Sequence, residues 1–173
     1  KGVIFLIREV KRSEIDVLCE VSRQTFSETF AAVNTPKDLQ DYLDQNLTVE
    51  KLTAEFNQPH SYFYFLEKEG EIAGFLKLNL AEAQTEYQQD DSLEVERIYI
   101  KQAFQGQGCG KELFAFALEQ ARKFGKQKVW LGVWEHNEKA LKFYQRHGFH
   151  KIDAHIFWMG DDPQTDYIYQ LEL

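Results

Sequence analysis

The stretch from Glu94 to Lys111, EVERIYIKQAFQGQGCGK, limits what this chain can fold into more than any other part of it. A run of β-formers, Leu93 to Ile100, ends in a turn-prone hinge at Lys101 to Phe104, and glycines follow at Gly106, Gly108 and Gly110. The next residues, KELFAFALEQARKF, have helical period: Leu113, Ala117 and Ala121 share one stripe, with Phe114 and Leu118 beside it. A strand that runs through a glycine turn into a helix is a place to hold phosphate. The first helical N–H groups lack intrahelical partners, the macrodipole adds positive charge there, and glycine lets the backbone come close. Two phosphate motifs fail on spacing. A P-loop needs Gly and Ser or Thr where Gln105 and Glu112 stand, and a dinucleotide fingerprint from Gly106 needs Gly where Lys111 stands. What remains is Q-x-x-G-x-G, from Gln105 through Gly108 to Gly110, against the plain alternative of a ligand-free glycine-rich turn.

At 173 residues the chain reads as one domain over 1–173, with room for a proper core. Fourteen Phe and eight Tyr, within 43% hydrophobic residues, exclude a disordered chain. No apolar run approaches the ~20 residues of a membrane span, and no secretory signal opens the sequence. Cys19 and Cys109 are too few for a disulfide framework, and no Cys or His spacing suggests a metal. A cytoplasmic protein, monomer or homodimer, is the expectation. The formal charge of −8 argues against nucleic acid as a partner and suits a small cationic substrate, although acidity also serves solubility.

Taken in order, residues 3–8 read as a first strand and Ser13 as the cap of a helix that continues toward Asn34. Thr35-Pro36 starts a second helix with Leu39, Tyr42 and Leu43 on one face, and Thr48 starts a third that carries Leu52 and Phe56. Residues 61–68 and 71–80 form a hairpin joined at Glu69-Gly70, and the polar segment 81–91 reads as a loop. After the helix at 108–124, Gly125 is a stop and KVWLGVW a fifth strand. Asn137 caps a short helix that Gly148 ends. Residues 149–158 and 167–172 are the last two strands, with MGDDPQTD as the turn between them.

The Gln105–Gly110 loop resembles the pyrophosphate loop of the GNAT N-acetyltransferases. Their pattern N-x-x-A-x-x-F-Y-x-x-x-G-F is also met without a gap by Asn137, Ala140, Phe143, Tyr144, Gly148 and Phe149. The stretches SLEVERIYIK, NLAEAQTE and MGDDPQTD are similar to the PaiA-type bacterial spermidine/spermine acetyltransferases within that family. The resemblance implies an α/β (α+β) fold: a mixed, mostly antiparallel seven-stranded sheet flanked by helices, strands 4 and 5 parallel and splayed. It implies acetyl transfer from acetyl-CoA to a primary amine by direct attack in a ternary complex. It further implies that Gln105, Gly106, Gln107, Gly108, Cys109, Gly110 and Lys111 hold the pyrophosphate, and that Ile98, Tyr99 and Ile100 hold the pantetheine arm through their main chain. Asn137, Lys139, Ala140 and Tyr144 then touch the cofactor too, with Tyr144 as the acid for the departing thiolate. The base is Glu94 or Glu96, directly or through water. A glutamate on a strand can equally be a solvated member of a salt bridge with Arg97.

The subfamily likeness implies a polyamine acceptor, with Glu28, Asp41, Asp44, Glu82, Glu86, Asp90 and Asp91 as candidate carboxylates. Other readings remain: an aminoglycoside, a peptide N-terminus or a lysine as acceptor, or a CoA-binding regulator without turnover. Cys109 reads as small packing in a tight loop rather than a nucleophile, since no His is near it in sequence. The five histidines read as structural or surface residues.

Overall fold

The computed structural model describes residues 2–87 and 89–173; Lys1 and Gln88 lie outside them. Seven strands form one sheet in the order β1-β2-β3-β4-β5-β7-β6. The strands are β1 Phe5–Glu9, β2 Ser61–Lys68, β3 Glu71–Asn79, β4 Ser92–Ile100, β5 Lys128–Trp134, β6 His150–Met159 and β7 Asp162–Glu172. Among the described residues there are five α-helices: α1 Ile15–Phe30, α2 Pro36–Asn46, α3 Val49–Asn57, α4 Cys109–Lys123 and α5 Glu138–Arg146. Every neighbouring pair is antiparallel except β4 and β5.

Local chemistry accounts for most element ends. Thr35 and Thr48 each accept an N–H of the following turn at 3.1 Å, from Asp38 and Lys51, and Pro36 opens α2 where its missing N–H costs nothing. The β2–β3 hairpin turns on Glu69 and Gly70, both at positive φ, which matches the twist of the flanking strands. Gly125 and Gly148, also at positive φ, follow α4 and α5.

Two features differ from the sequence reading. Ser13 does not cap α1: it lies inside a 3-10 turn, Arg12–Glu14, and Glu14 is the cap residue, its carboxylate accepting the Lys11 N–H at 3.0 Å. The segment MGDDPQTD is not one turn. β7 begins at Asp162, with Pro163 opposite Trp158 in a hairpin. The proline is tolerated because β5 pairs with β7 only as far as Asp166, so beyond it the strand has one flank to satisfy.

Strand alternation divides the core between the two sheet faces. Val129, Leu131 and Val133 of β5 face α4 and α5 with Leu113, Phe114, Ala117 and Tyr144. On the other face Phe63, Phe65 and Phe75 pack under α1 and α3, against Leu18 and Leu52. A third cluster, Phe26, Phe30, Leu43, Leu47 and Met159, with Tyr42, Trp134 and Phe157 packed on it, closes the corner between α1, α2 and the β6–β7 end.

Candidate active site

The site follows from where β4 and β5 stop pairing. Their parallel ladder covers Ser92↔Lys128 to Val95↔Leu131, and β4 then runs on to Ile100 without a partner on that flank among the described residues. β5 runs on to Trp134 and turns to β7. The wedge between them leaves main-chain groups of β4 open to an extended ligand, the geometry that accepts an added strand. A bulge on β4 sits at the root of the wedge. Opposite β3, Lys77 pairs with Arg97 while Leu78 pairs with Val95, so Glu96 is the extra residue. The bulge bends β4 and brings Glu94, Glu96 and Arg97 to the α1–α3 side of the sheet, where Asn79, Lys77 and Phe75 of β3 also project.

A cleft of about 830 Å³ follows the wedge. At one end it is lined by Gln105, Gly106, Gly108, Cys109, Gly110 and Lys111, and along the strand by Ile98, Tyr99 and Ile100. Asn137, Lys139, Ala140 and Tyr144 of the α5 region line the wall facing them. Glu94 and Glu96 lie further in. Of the residues singled out from sequence, Gln107 is outside the cleft lining; its side chain bonds Lys68 and, at 3.1 Å, the Ala103 carbonyl. Cys109 starts α4 with its thiol packed in the core and pushed up in pKa by burial, so it is small packing. Gly108 holds φ +86 just before α4, a conformation that β-branched residues avoid. The first turn of α4, whose N–H groups have no intrahelical partner, lines this end of the cleft.

The two glutamates have different surroundings. Glu94 is 3% exposed and accepts three hydrogen bonds: Asn79 Nδ2 at 2.9 Å and Thr85 N at 2.8 Å on Oε1, Thr85 Oγ1 at 2.6 Å on Oε2. Burial raises its pKa above the usual carboxylate value, against the pull of those donors. Glu96 belongs to a closed ion cluster. Lys77 Nζ reaches Glu55 at 2.7 Å and Glu96 at 2.8 Å, and Arg97 reaches the same two carboxylates at 2.7 and 3.2 Å. Burial alone would raise Glu96, but Arg97 and Lys77 outweigh it and hold its carboxyl low. Two cations and two anions cancel, which leaves Glu94, of the two glutamates, as the one able to gain a proton. Asn79, fully buried, donates to both glutamates and accepts from Ser61 Oγ at 2.8 Å, so it fixes their spacing.

Tyr144 projects from α5 into the cleft. Asn137 fixes that helix, its Oδ1 accepting the Ala140 N–H at 3.2 Å. Burial raises the Tyr144 hydroxyl pKa, so the group stays protonated, and none of the described residues takes its hydrogen bond. The phenol therefore carries a proton at neutral pH and lines the cleft, as a general acid there must, although burial also makes it a weaker acid.

The inner wall is aromatic: Phe26, Phe30, Tyr42, Trp130, Trp134 and Phe157. Tyr42 stacks on Phe26 with centroids 4.3 Å apart. Of the seven candidate acceptor carboxylates, Glu28 lines the cleft, its Oε1 accepting Gln102 N at 3.0 Å. Glu86 Oε1 lies 2.6 Å from His155 Nδ1. Asp41, Asp44, Glu82 and Asp91 pair with Lys37, Arg23, His60 and Lys128, and with Asp90 they stand outside the cleft lining. Asp166, which the sequence reading did not single out, does line the cleft, 3.6 Å from His155 Nε2. Burial pushes its pKa up to about 6, against the nearby imidazole. Trp134 is its partner across β5, and Gly132 keeps a Cβ away from its carboxylate, since one there would lie 3.5 Å from Oδ2. One signal for the missed Asn79 was in the sequence: Lys77 and Asn79 are polar at period two in an otherwise apolar strand. Thr85 and Asp166 had none.

The sequence pattern of the Acetyltransferase (GNAT) family matches residues 22–149. An uncharacterized N-acetyltransferase of Lactobacillus delbrueckii subsp. lactis is 43% identical over 162 residues, 94% of each chain. The spermine/spermidine N(1)-acetyltransferase of Bacillus subtilis is 28% identical over 82 residues, 47% of this chain and 54% of that one. Among solved structures, the PaiA N-acetyltransferase of Thermoplasma acidophilum in complex with coenzyme A has the same fold. Its TM-score is 0.79 at 21% identity, over 98% of this chain and 99% of that one.

Proposed function

This chain belongs to the GNAT acetyltransferase family and is an acetyl-CoA-dependent N-acetyltransferase; within that activity we propose that its acceptor is a polyamine of the spermidine or spermine kind, with Glu94 as base and Tyr144 as acid. The observation that carries the residue roles is that Glu94, Tyr144 and the glycine loop line one continuous cleft. Acetyl-CoA supplies the activated acetyl group. The chain's residues hold, orient and move protons.

In this reading the N–H groups of the loop and of the first turn of α4 hold the pyrophosphate, with Lys111 and Lys139 as nearby cations. The unpartnered flank of β4 beyond Val95 holds the pantetheine arm by main-chain hydrogen bonds, and an N–H there polarises the thioester carbonyl. Glu94 takes a proton from the ammonium so that the nitrogen lone pair can attack. An alkyl ammonium has a pKa of about 10.4 if lysine-like, so this loss must precede attack near neutral pH. Tyr144 gives its proton to the departing thiolate, and the second proton that the nitrogen sheds as the amide forms returns the phenolate to the phenol.

For the acceptor, support comes from charge and surface together. Glu28, Glu94 and Asp166 line the cleft, while the cations Lys77 and Arg97 are already matched by Glu55 and Glu96. Aromatic faces suit both the methylene segments and the ammonium groups of such a chain. The named activity of the Bacillus subtilis relative points the same way. The same aromatic wall favours one second reading, a peptide N-terminus with an apolar first residue.

The test is thiol release from acetyl-CoA with spermidine, spermine, a lysine peptide, an N-terminal peptide and an aminoglycoside, each against a no-acceptor blank. Release with the polyamines alone supports the proposal. Release with the N-terminal peptide alone transfers the site to the second reading. Coenzyme A binding without release for any of them rules out these acceptors and moves the search to another amine.

A further inference from the structure

Two of the three hydrogen bonds on Glu94 come from a single residue, Thr85, in the segment between β3 and β4. Its N–H meets Oε1 and its hydroxyl meets Oε2, so it grips both carboxylate oxygens. The segment is itself anchored. Gln84, 1% exposed, accepts Ser92 Oγ and Trp130 Nε1 at 2.8 Å each and donates to the Ala81 and Gln89 carbonyls at 3.3 and 3.1 Å. On the other side of Thr85, Glu86 Oε1 lies 2.6 Å from His155 Nδ1 of β6, an ion pair when the imidazole is protonated. Thr85 is thus held by its two neighbours, against β5 and against β6. It also lines a second cavity, of about 450 Å³, which shares Thr85, Glu96 and Arg97 with the main cleft.

We propose that Thr85 is the positioning residue of the base: its hydroxyl aims Glu94 and keeps the carboxylate ionised so that it can accept the amine proton. The proposal rests on Glu94 being that base. In the step it supports, an N–H bond of the acceptor ammonium breaks, the proton passes to a Glu94 carboxylate oxygen, and the electron pair stays on nitrogen. Of the other charged groups, Glu96 acts on Glu94 directly; Arg97, Glu28 on α1, Asp166 on β7 and His155 on β6 line the same cleft, and Lys77 on β3 and Glu55 on α3 belong to the ion cluster of Glu96. Among the described residues only Asn79 and Thr85 hydrogen-bond to it. Thr85 is therefore the near-isosteric handle on its protonation. Removing one hydrogen bond to the charged form of a carboxylate shifts its titration upward, here by about one pH unit.

The experiment compares Thr85→Val, Thr85→Ser and Glu94→Gln in the full chain. Readouts are kcat against pH with spermidine as acceptor, KM for acetyl-CoA and thermal midpoint. Thr85→Val should move the acidic limb of kcat up by about one pH unit and lower kcat about tenfold below it, with KM for acetyl-CoA unchanged. Thr85→Ser keeps the hydroxyl and should restore the parental limb. An unmoved limb in Thr85→Val, with Glu94→Gln inactive, overturns the proposal. So does a uniform loss of kcat at every pH that Thr85→Ser fails to rescue. Full activity in Glu94→Gln overturns instead the reading of Glu94 as base, which separates the two failures.

Discussion

Replacing Glu96 with Gln separates the two strand glutamates by stability and by rate at once. Glu96 touches Lys77 at 2.8 Å and Arg97 at 3.2 Å. At an effective dielectric near 20 those contacts are worth roughly 6 and 5 kcal/mol before desolvation is subtracted. Breaking a buried pair by removing one partner costs about 3–5 kcal/mol net. Glu55 stays bonded to both cations and the cluster keeps some solvent, so the low end applies, about 3 kcal/mol. For a chain of this size that corresponds to a melting point lower by about 6–12 °C. The pH dependence has a defined sign. The Glu96 carboxyl is held below its ordinary 4.5, so its contribution is complete above that pH and lost as the pH falls through the depressed value. The melting gap between parent and variant should be full near neutrality and close in acid. Removing the Glu96 charge also relieves repulsion on Glu94, so the acidic limb of kcat should move to lower pH while the plateau stays within a few-fold of the parent. Calorimetry across pH and a kcat profile read both. A variant that melts like the parent but loses turnover about a hundredfold at every pH would refute the argument and make Glu96 the base.

Tyr144→Phe should lower kcat roughly 10²-fold and leave coenzyme A affinity unchanged, read by steady-state kinetics beside calorimetric titration; an unaltered rate would take the acid role away from this residue. Gly108→Val should weaken coenzyme A binding by about tenfold or more because φ +86 is closed to a β-branched residue, while Gly108→Asn should bind within a few-fold; equal affinities would remove the loop from the cofactor site. KM for a polyamine should rise as the pH drops through about 6, where Asp166 takes up a proton, and Asp166→Asn should flatten that dependence. Glu94→Gln should hold its melting point near neutral pH or raise it, since burial disfavours the charged form that the native residue carries there.

Much of the frame was legible before any coordinates. Caps at Thr35, Thr48 and Asn137, the Glu69-Gly70 turn and the stops at Gly125 and Gly148 act within a few residues of chain, so residue type and spacing are enough to find them. The strand–glycine–helix unit was legible for the same reason, and with it the family and the cofactor. Where a local signal had a competitor the sequence misled. Ser13 has the right chemistry for a cap, yet Glu14, engaged by Arg8 of β1 and by the Lys11 N–H, takes that position. MGDDPQTD carries turn residues throughout, yet pairing with β6 draws most of it into a strand.

The sequence by itself determined the elements, their order and a set of candidate groups. Tertiary structure alone decided which of those groups meet. The bulge at Glu96 depends on how β4 registers against β3, and the wedge depends on where β5 leaves β4 for β7. The unlike fates of Glu94 and Glu96 come from partners at distant positions: Lys77, Asn79 and Thr85 for both burial and charge, Glu55 for the cations. Alternation along a strand cannot distinguish two glutamates two residues apart. Their difference is set by desolvation and by the nearest charges, and both arise only when chain segments far apart in sequence pack together.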